Sequence, residues 1–170
     1  MKFLSKFIAF FVILFFVACG YLPVSQITNN IFNEKIYLYV KIDEKDPENS
    51  IFIIDSMREI ISQKFKKTLV NKEEADDSIF VDIKNLSFIP IVYDKNGYII
   101  AYKVKLVLNF DILYKNGSKD NFTASGSYDF SLDPNSIISD TIRTQAMQYA
   151  SSEAFDEFIA YLAIKGKNKL

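Results

Sequence analysis

The sequence predicts an α+β two-layer sandwich: a mixed four-stranded sheet in the order strand, helix, three-strand meander, helix, with both helices on one face. Three observations carry this. From Ile100 to Tyr114 every even position is apolar, while the odd positions are mostly polar or charged, among them Lys103, Lys105, Asn109 and Asp111. After Asn116-Gly117-Ser118-Lys119 the alternation resumes from Phe122 to Leu132. A period of two is that of a pleated strand with one buried face, and an Asn-Gly turn between two such runs makes a hairpin. Elsewhere, two stretches place apolar residues three and four apart, the period of an amphipathic helix.

The first stretch of the chain reads as an address. Lys2 and Lys6 precede an unbroken apolar run from Phe7 to Val17, followed by Ala18-Cys19-Gly20. The run is too short for a membrane helix of about 20 residues, and its flanks fit a secretory signal. The only cysteine, Cys19, follows a small residue at the end of that run and resembles the lipidated residue of a bacterial lipobox, although Phe16 stands where leucine is usual. The pattern implies cleavage before Cys19 and several acyl chains on it, which together hold a protein firmly to a membrane. Gly20 in place of Asp implies sorting to the outer membrane. The expected organisation is a signal peptide at 1–18, a lipidated cysteine and tether at 19–34, one domain at 35–164 and a basic tail at 165–170.

The domain begins with a strand from Lys35 to Ile42, with Ile36, Leu38, Val40 and Ile42 on one face and Lys35, Tyr37, Tyr39 and Lys41 on the other. Ser50 is placed to cap a helix running to about Lys66, striped by Ile51, Ile54, Ile61 and Phe65. A charged loop, Asn71 to Asp77, leads to an extended run from Ser78 to Tyr93. Pro90 inside that run cannot donate to a ladder, so the strand bends there or lies at an edge. Asp94-Lys95-Asn96-Gly97 is the turn into the long hairpin. At about 3.3 Å per residue, Tyr98 to Tyr114 would span roughly 56 Å if straight, so this arm is expected to be twisted or bulged, with room to project past the helices that cover its centre. Asp133-Pro134-Asn135 breaks the sheet, Ser136 is placed as an N-cap, and the last helix runs from about Ile137 to Ala163.

Composition narrows the chemistry. The chain has no His, one Cys and five Gly. That removes imidazole nucleophile relays, internal disulfides and zinc clusters, and no phosphate-cradling glycine loop is present. A formal charge of −1 gives no electrostatic case for nucleic acid. No cofactor is expected, and no catalytic residue. The acidic pairs Glu73-Glu74 and Asp76-Asp77 read as a solvated loop rather than a carboxylate hydrolase site.

Cys19-Gly20-Tyr21-Leu22, the run Ser78 to Ile83, the Asn-Gly turn after Lys95, the strand Ile100 to Phe110 and the Asp-Pro-Asn break before a long helix together resemble the lipopolysaccharide-assembly lipoprotein family, LptE. The resemblance implies an outer-membrane lipoprotein on the periplasmic side that binds an LptD-type β-barrel as plug and assembly partner and aids lipopolysaccharide transport. It also implies no catalysis. Relatives place basic residues against lipopolysaccharide at the turn before the central strand, where this chain has Lys95. The second such place, near the start of the last helix, holds Ser139 and Asp140, with no basic residue before Arg143. Tyr37 and Tyr39, and Lys103 and Lys105, are candidate contacts to the barrel or to glycan. The plain alternatives are a solvated sheet face for the tyrosines and edge-protecting surface charges for the lysines. A different class of function, a generic outer-membrane lipoprotein that binds peptidoglycan or a small ligand, also fits the residues.

Overall fold

The computed structural model describes residues 23–41, 47–133 and 136–167, without the side chains of 47–50 and 167. The chain runs α1 (Val24–Asn29), β1 (Lys35–Val40), α2 (Pro47–Glu59) with a π turn (Ile60–Lys64), β2 (Thr68–Leu69), β3 (Asp77–Tyr93), β4 (Ile99–Leu113), β5 (Lys119–Ser131) and α3 (Asp140–Lys167). The strands form one open mixed sheet ordered β2-β1-β3-β4-β5. β1 is parallel to β2 and β3, while β3, β4 and β5 are antiparallel. The α+β sandwich is the observed architecture. Its fifth strand, β2, has two residues, too few to leave any period in the sequence.

The even positions of β4 are the floor of the core. Val104, Leu106, Leu108, Phe110 and Ile112 are buried there beside Ile36, Val40, Ile79 and Val81. Ile53, Met57 and Ile61 cover them from α2 and its π turn, and Met147, Ala150, Ala154, Phe158 and Leu162 from α3. The rings of Phe110 and Phe158 stack at 4.0 Å. Each of these side chains larger than alanine contributes roughly 1.5–3 kcal/mol by leaving water.

α3 lies along β5 from end to end. Its 28 residues rise about 42 Å, and the 13 residues of β5 span about 43 Å. Tyr149 stacks on Tyr128 at 4.4 Å, and Tyr161 on Phe122 at 4.1 Å. Between these contacts the helix presses on Gly126. A Cβ there would overlap the Ala150 carbonyl and approach Ala154 N to 2.7 Å, so only glycine fits. Carboxylates of α3 then reach round the strand's outer edge. Glu157 accepts a hydrogen bond from Ser125 N at 2.7 Å, and Glu153 from Ser127 N at 2.5 Å. Four helix residues rise about 6 Å and two strand residues about 6.6 Å, so the spacings match.

Several boundaries differ from expectation for local reasons. The described part of the expected tether belongs to the domain: α1 forms there, and Ile31 and Phe32 are buried. Phe32 stacks with Phe65 and Tyr114. A six-residue helix is too short to show a period. α2 begins at Pro47, not Ser50, because proline suits the first helical position. It gives way to the π turn at Ile60 and ends with Lys66 at φ 57°, the left-handed place usually taken by glycine. Ser139 rather than Ser136 caps α3, its Oγ accepting from Ile142 N at 3.3 Å. α3 continues to Lys167, so Lys165 is helical and not part of a solvated tail. Gly166 allows this end to close on Ile27 of α1. Cys19 and Ile42 lie outside the described residues.

Candidate interaction surface

β5 ends opposite Ala101, and α3 ends its cover there too, but β3 and β4 continue to Tyr93 and Ile99. The sequence of this outer part, Ile-Pro-Ile-Val-Tyr at 89–93, is apolar on both strand faces. The result is a set of exposed large hydrophobics: Ile89 at 42%, Ile91 at 39%, Val92 at 43%, Tyr93 at 58% and Tyr98 at 52%. Contiguous apolar surface of this kind marks interaction sites. The tip itself is polar and rigid. Asp94 Oδ1 accepts from Asn96 N and Tyr98 N, both at 2.8 Å, and Gly97 takes φ 86°. Lys95 is exposed at this tip. At the base, Phe130 packs on Phe88 and Tyr102 with centroids 6.3 and 6.0 Å away, and the Arg143 guanidinium lies 5.4 Å over Phe88. A groove of about 490 Å³ opens beside them, lined by Ile91, Tyr128, Phe130, Ile142, Gln145 and others.

The helix-free face of the sheet carries the other expected contacts. Tyr37 and Tyr39 flank Phe80 at 6.1 and 6.2 Å. Phe80 was not legible as their partner, because pairing β1 beside β3 is a tertiary event. Next to them Asp82 takes Lys84 at 2.6 Å and Lys41 at 3.9 Å. A polar ladder follows: Asn121 Nδ2 donates to Asp111 Oδ1 at 2.6 Å and Thr123 Oγ1 to Asn109 Oδ1 at 3.1 Å. Lys103 pairs with Asp129, directly opposite in register, at 3.3 Å. Lys105 is exposed. The tyrosines and the lysines therefore share a face, but Phe80 and Ser87, their neighbours on β3, are about 20 Å apart along the strand. Lys95 is at the far tip. The structure does not gather these residues into one site.

The acidic residues of the charged loop are used by the fold. Asp77 is buried, accepting from Asn33 N at 2.6 Å and Lys115 N at 2.9 Å. The expected solvated loop is thus wrong for Asp77, which is placed at the start of β3 where the lead segment and the β4–β5 turn converge on it. Asp76 pairs with Lys115 at 2.8 Å, and that hydrogen bond holds its carboxyl below the usual range. At the same end of the sheet, just past the β4–β5 turn, Asp120 accepts from Lys165, from Tyr161 OH at 2.6 Å and from Tyr114 OH at 3.4 Å. Burial alone would raise the Asp120 carboxyl, but the hydrogen bonds from Lys165 and Tyr161 outweigh it and the net shift is downward. Burial and then the bond to Asp120 push the Tyr161 hydroxyl up to about 12. Among the described residues no three metal-ligating side chains converge, and no helix is long and apolar enough to cross a membrane.

Comparison with protein-family models gives no match, and comparison with curated proteins gives none either. Solved structures do match. A lipoprotein from Caulobacter crescentus CB15 is 9% identical with a TM-score of 0.53, over 85% of this chain and 96% of that one. A Xanthomonas campestris protein of the DUF330 family is 11% identical with a TM-score of 0.51, over 82% and 88%. Rare lipoprotein B from Shewanella oneidensis is 9% identical over 79% and 89%, with a TM-score of 0.46 that is too low to argue from. The chain thus has a fold that is found in bacterial lipoproteins; a shared fold carries no partner or ligand with it.

Proposed function

We propose that this chain is a non-catalytic outer-membrane lipoprotein, anchored through Cys19 on the periplasmic side, that seats in an LptD-type β-barrel as plug and assembly partner and aids lipopolysaccharide transport to the outer leaflet. The observation that carries the reading is the outer part of the β3–β4 hairpin, apolar on both faces and, among the described residues, without a third strand beside it or a helix over it. Such a surface is stable when a partner covers it, and a polar tip beyond an apolar band suits insertion into a lined lumen. The lipobox-like start, the LptE resemblance and a fold shared with lipoproteins support it. Lys95 is the residue we assign to lipopolysaccharide. Lys103 is engaged with Asp129, so Lys105 is the better barrel or glycan contact of the two.

Affinity purification of the tagged mature protein from outer membranes tests this. A barrel of LptD type is expected to come with it, and depletion is expected to leave lipopolysaccharide in the cell interior. Absence of a barrel partner would sink the reading. The groove of about 490 Å³ favours the second reading, a generic lipoprotein with a small ligand. Thermal stabilisation by cell-wall fragments but not by lipopolysaccharide would favour that alternative.

A further inference from the structure

β1 closes the outer side of β3 only as far as Val81. From Asp82 to Tyr93 no described strand pairs with β3 on that side. The ladder decides which backbone groups point outward. Leu132 N donates to Ile100 O, so even residues of β4 turn their backbone groups to β5 and odd residues turn theirs to β3. Asn85, Ser87 and Ile89 stand opposite the odd residues Val107, Lys105 and Lys103 and bond to them. Leu86, Phe88 and Pro90 therefore point outward. Val81, in the same phase before the bulge, gives its carbonyl to Lys41 N, as this assignment requires. Pro90 occupies a position where its missing N–H breaks no ladder bond.

Among the described residues the outcome is a short open edge: the amides of Leu86 and Phe88, and the carbonyls of Leu86, Phe88 and Pro90. The bulge at Lys84 and the ring of Pro90 bracket it, which bars open-ended pairing. The opposite edge is handled in another way, since Glu153 and Glu157 occupy the central amides of β5. The open edge runs into the exposed Ile91, Val92 and Tyr93.

We propose that an extended segment of the barrel partner adds to the sheet along Asn85–Ile89 as a sixth strand. This rests on the function proposed above. Outward donors and acceptors that recur at every second residue match an extended chain, whereas a helix has no free backbone groups to offer along its length. Side chains alternate between Leu86 and Phe88 on the helix side and Ser87 and Ile89 on the other. The added strand is therefore expected to bring apolar residues to at least one of its faces.

Amide hydrogen exchange of the lipidated protein, alone and in the co-purified outer-membrane complex, tests this. The amides of Leu86 and Phe88 are expected to exchange at least ten-fold more slowly in the complex, with Ser125 and Ser127 unchanged. Leu86→Pro, which repeats the Pro90 arrangement two outward positions earlier, is expected to lower barrel recovery at least ten-fold relative to Leu86→Ala, which loses the same core packing but keeps the amide. Thr123→Pro on the opposite edge is expected to leave recovery unchanged. A complex in which Leu86 and Phe88 exchange as fast as in the free protein overturns strand addition and leaves the plug reading standing. Failure to recover a barrel overturns both. Concentration-dependent dimers that already protect these amides assign the edge to a second copy and overturn the proposal.

Discussion

At its inner end β3 carries Ile79 and Val81, fully enclosed; at its outer end it carries Ile89, Ile91 and Val92, each about two-fifths exposed. The residue types are alike and the strand is continuous, so intrinsic preference does not separate the two ends. Cover does. The inner end lies under the helix layer, which α3 extends only as far as β5 reaches. The outer end lies beyond both. Apolar residues that the fold leaves uncovered are available for a partner, and their removal leaves the fold itself nearly untouched.

This contrast can be broken from the inside first. Phe158→Ala removes the ring stacked on Phe110 and is expected to cost about 3–5 kcal/mol in denaturant unfolding. Gly126→Ala drives a methyl into the Ala150 carbonyl and is expected to cost about 1–3 kcal/mol, with α3 shifted off β5. The Asp120 cluster makes the inner end sensitive to pH at both extremes. Its carboxyl is lowered in the fold, so its contribution is present above the unfolded value of about 4 and is lost as pH falls below it. The Tyr161 hydroxyl is raised from 10 to about 12, so its contribution is full below pH 10 and is lost as pH rises through about 12. Thermal melts across pH are expected to have a weaker acid limb in Asp120→Asn and a weaker alkaline limb in Tyr161→Phe.

The outer end is expected to respond oppositely. Ile91→Ser or Tyr93→Ser should alter stability by no more than about 0.5 kcal/mol, while reducing recovery of the barrel partner. Lys103→Ala removes an exposed ion pair worth at most about 1 kcal/mol, and Lys95→Ala none. Lys95→Ala is expected to change only lipopolysaccharide retention, measured on the purified complex.

The long hairpin was legible because alternation over thirteen and fifteen residues leaves no other reading. The helices were legible by period, but their ends were not: Ser139 and Ser136 are equal as caps until the chain's path chooses between them. β2 and α1 were hidden by their shortness. Tyr37 and Tyr39 could be placed on one face, yet their contact Phe80, the sealing of β5 by Glu153 and Glu157, and the burial of Asp77 arise between segments far apart in sequence. The outer hydrophobics did leave a sign. Ile-Pro-Ile-Val-Tyr breaks the alternation that holds further in, and an apolar run with a proline in a strand marks an edge that a partner can use.

The central claim is that the outer end serves a partner and not the fold. A triple variant, Ile91→Asp, Tyr93→Asp and Tyr98→Asp, measured by barrel recovery from outer membranes beside its unfolding midpoint, tests it most directly. The account predicts a midpoint within a few degrees of the unaltered protein and loss of the barrel. Full recovery of the barrel by a folded triple variant would contradict it.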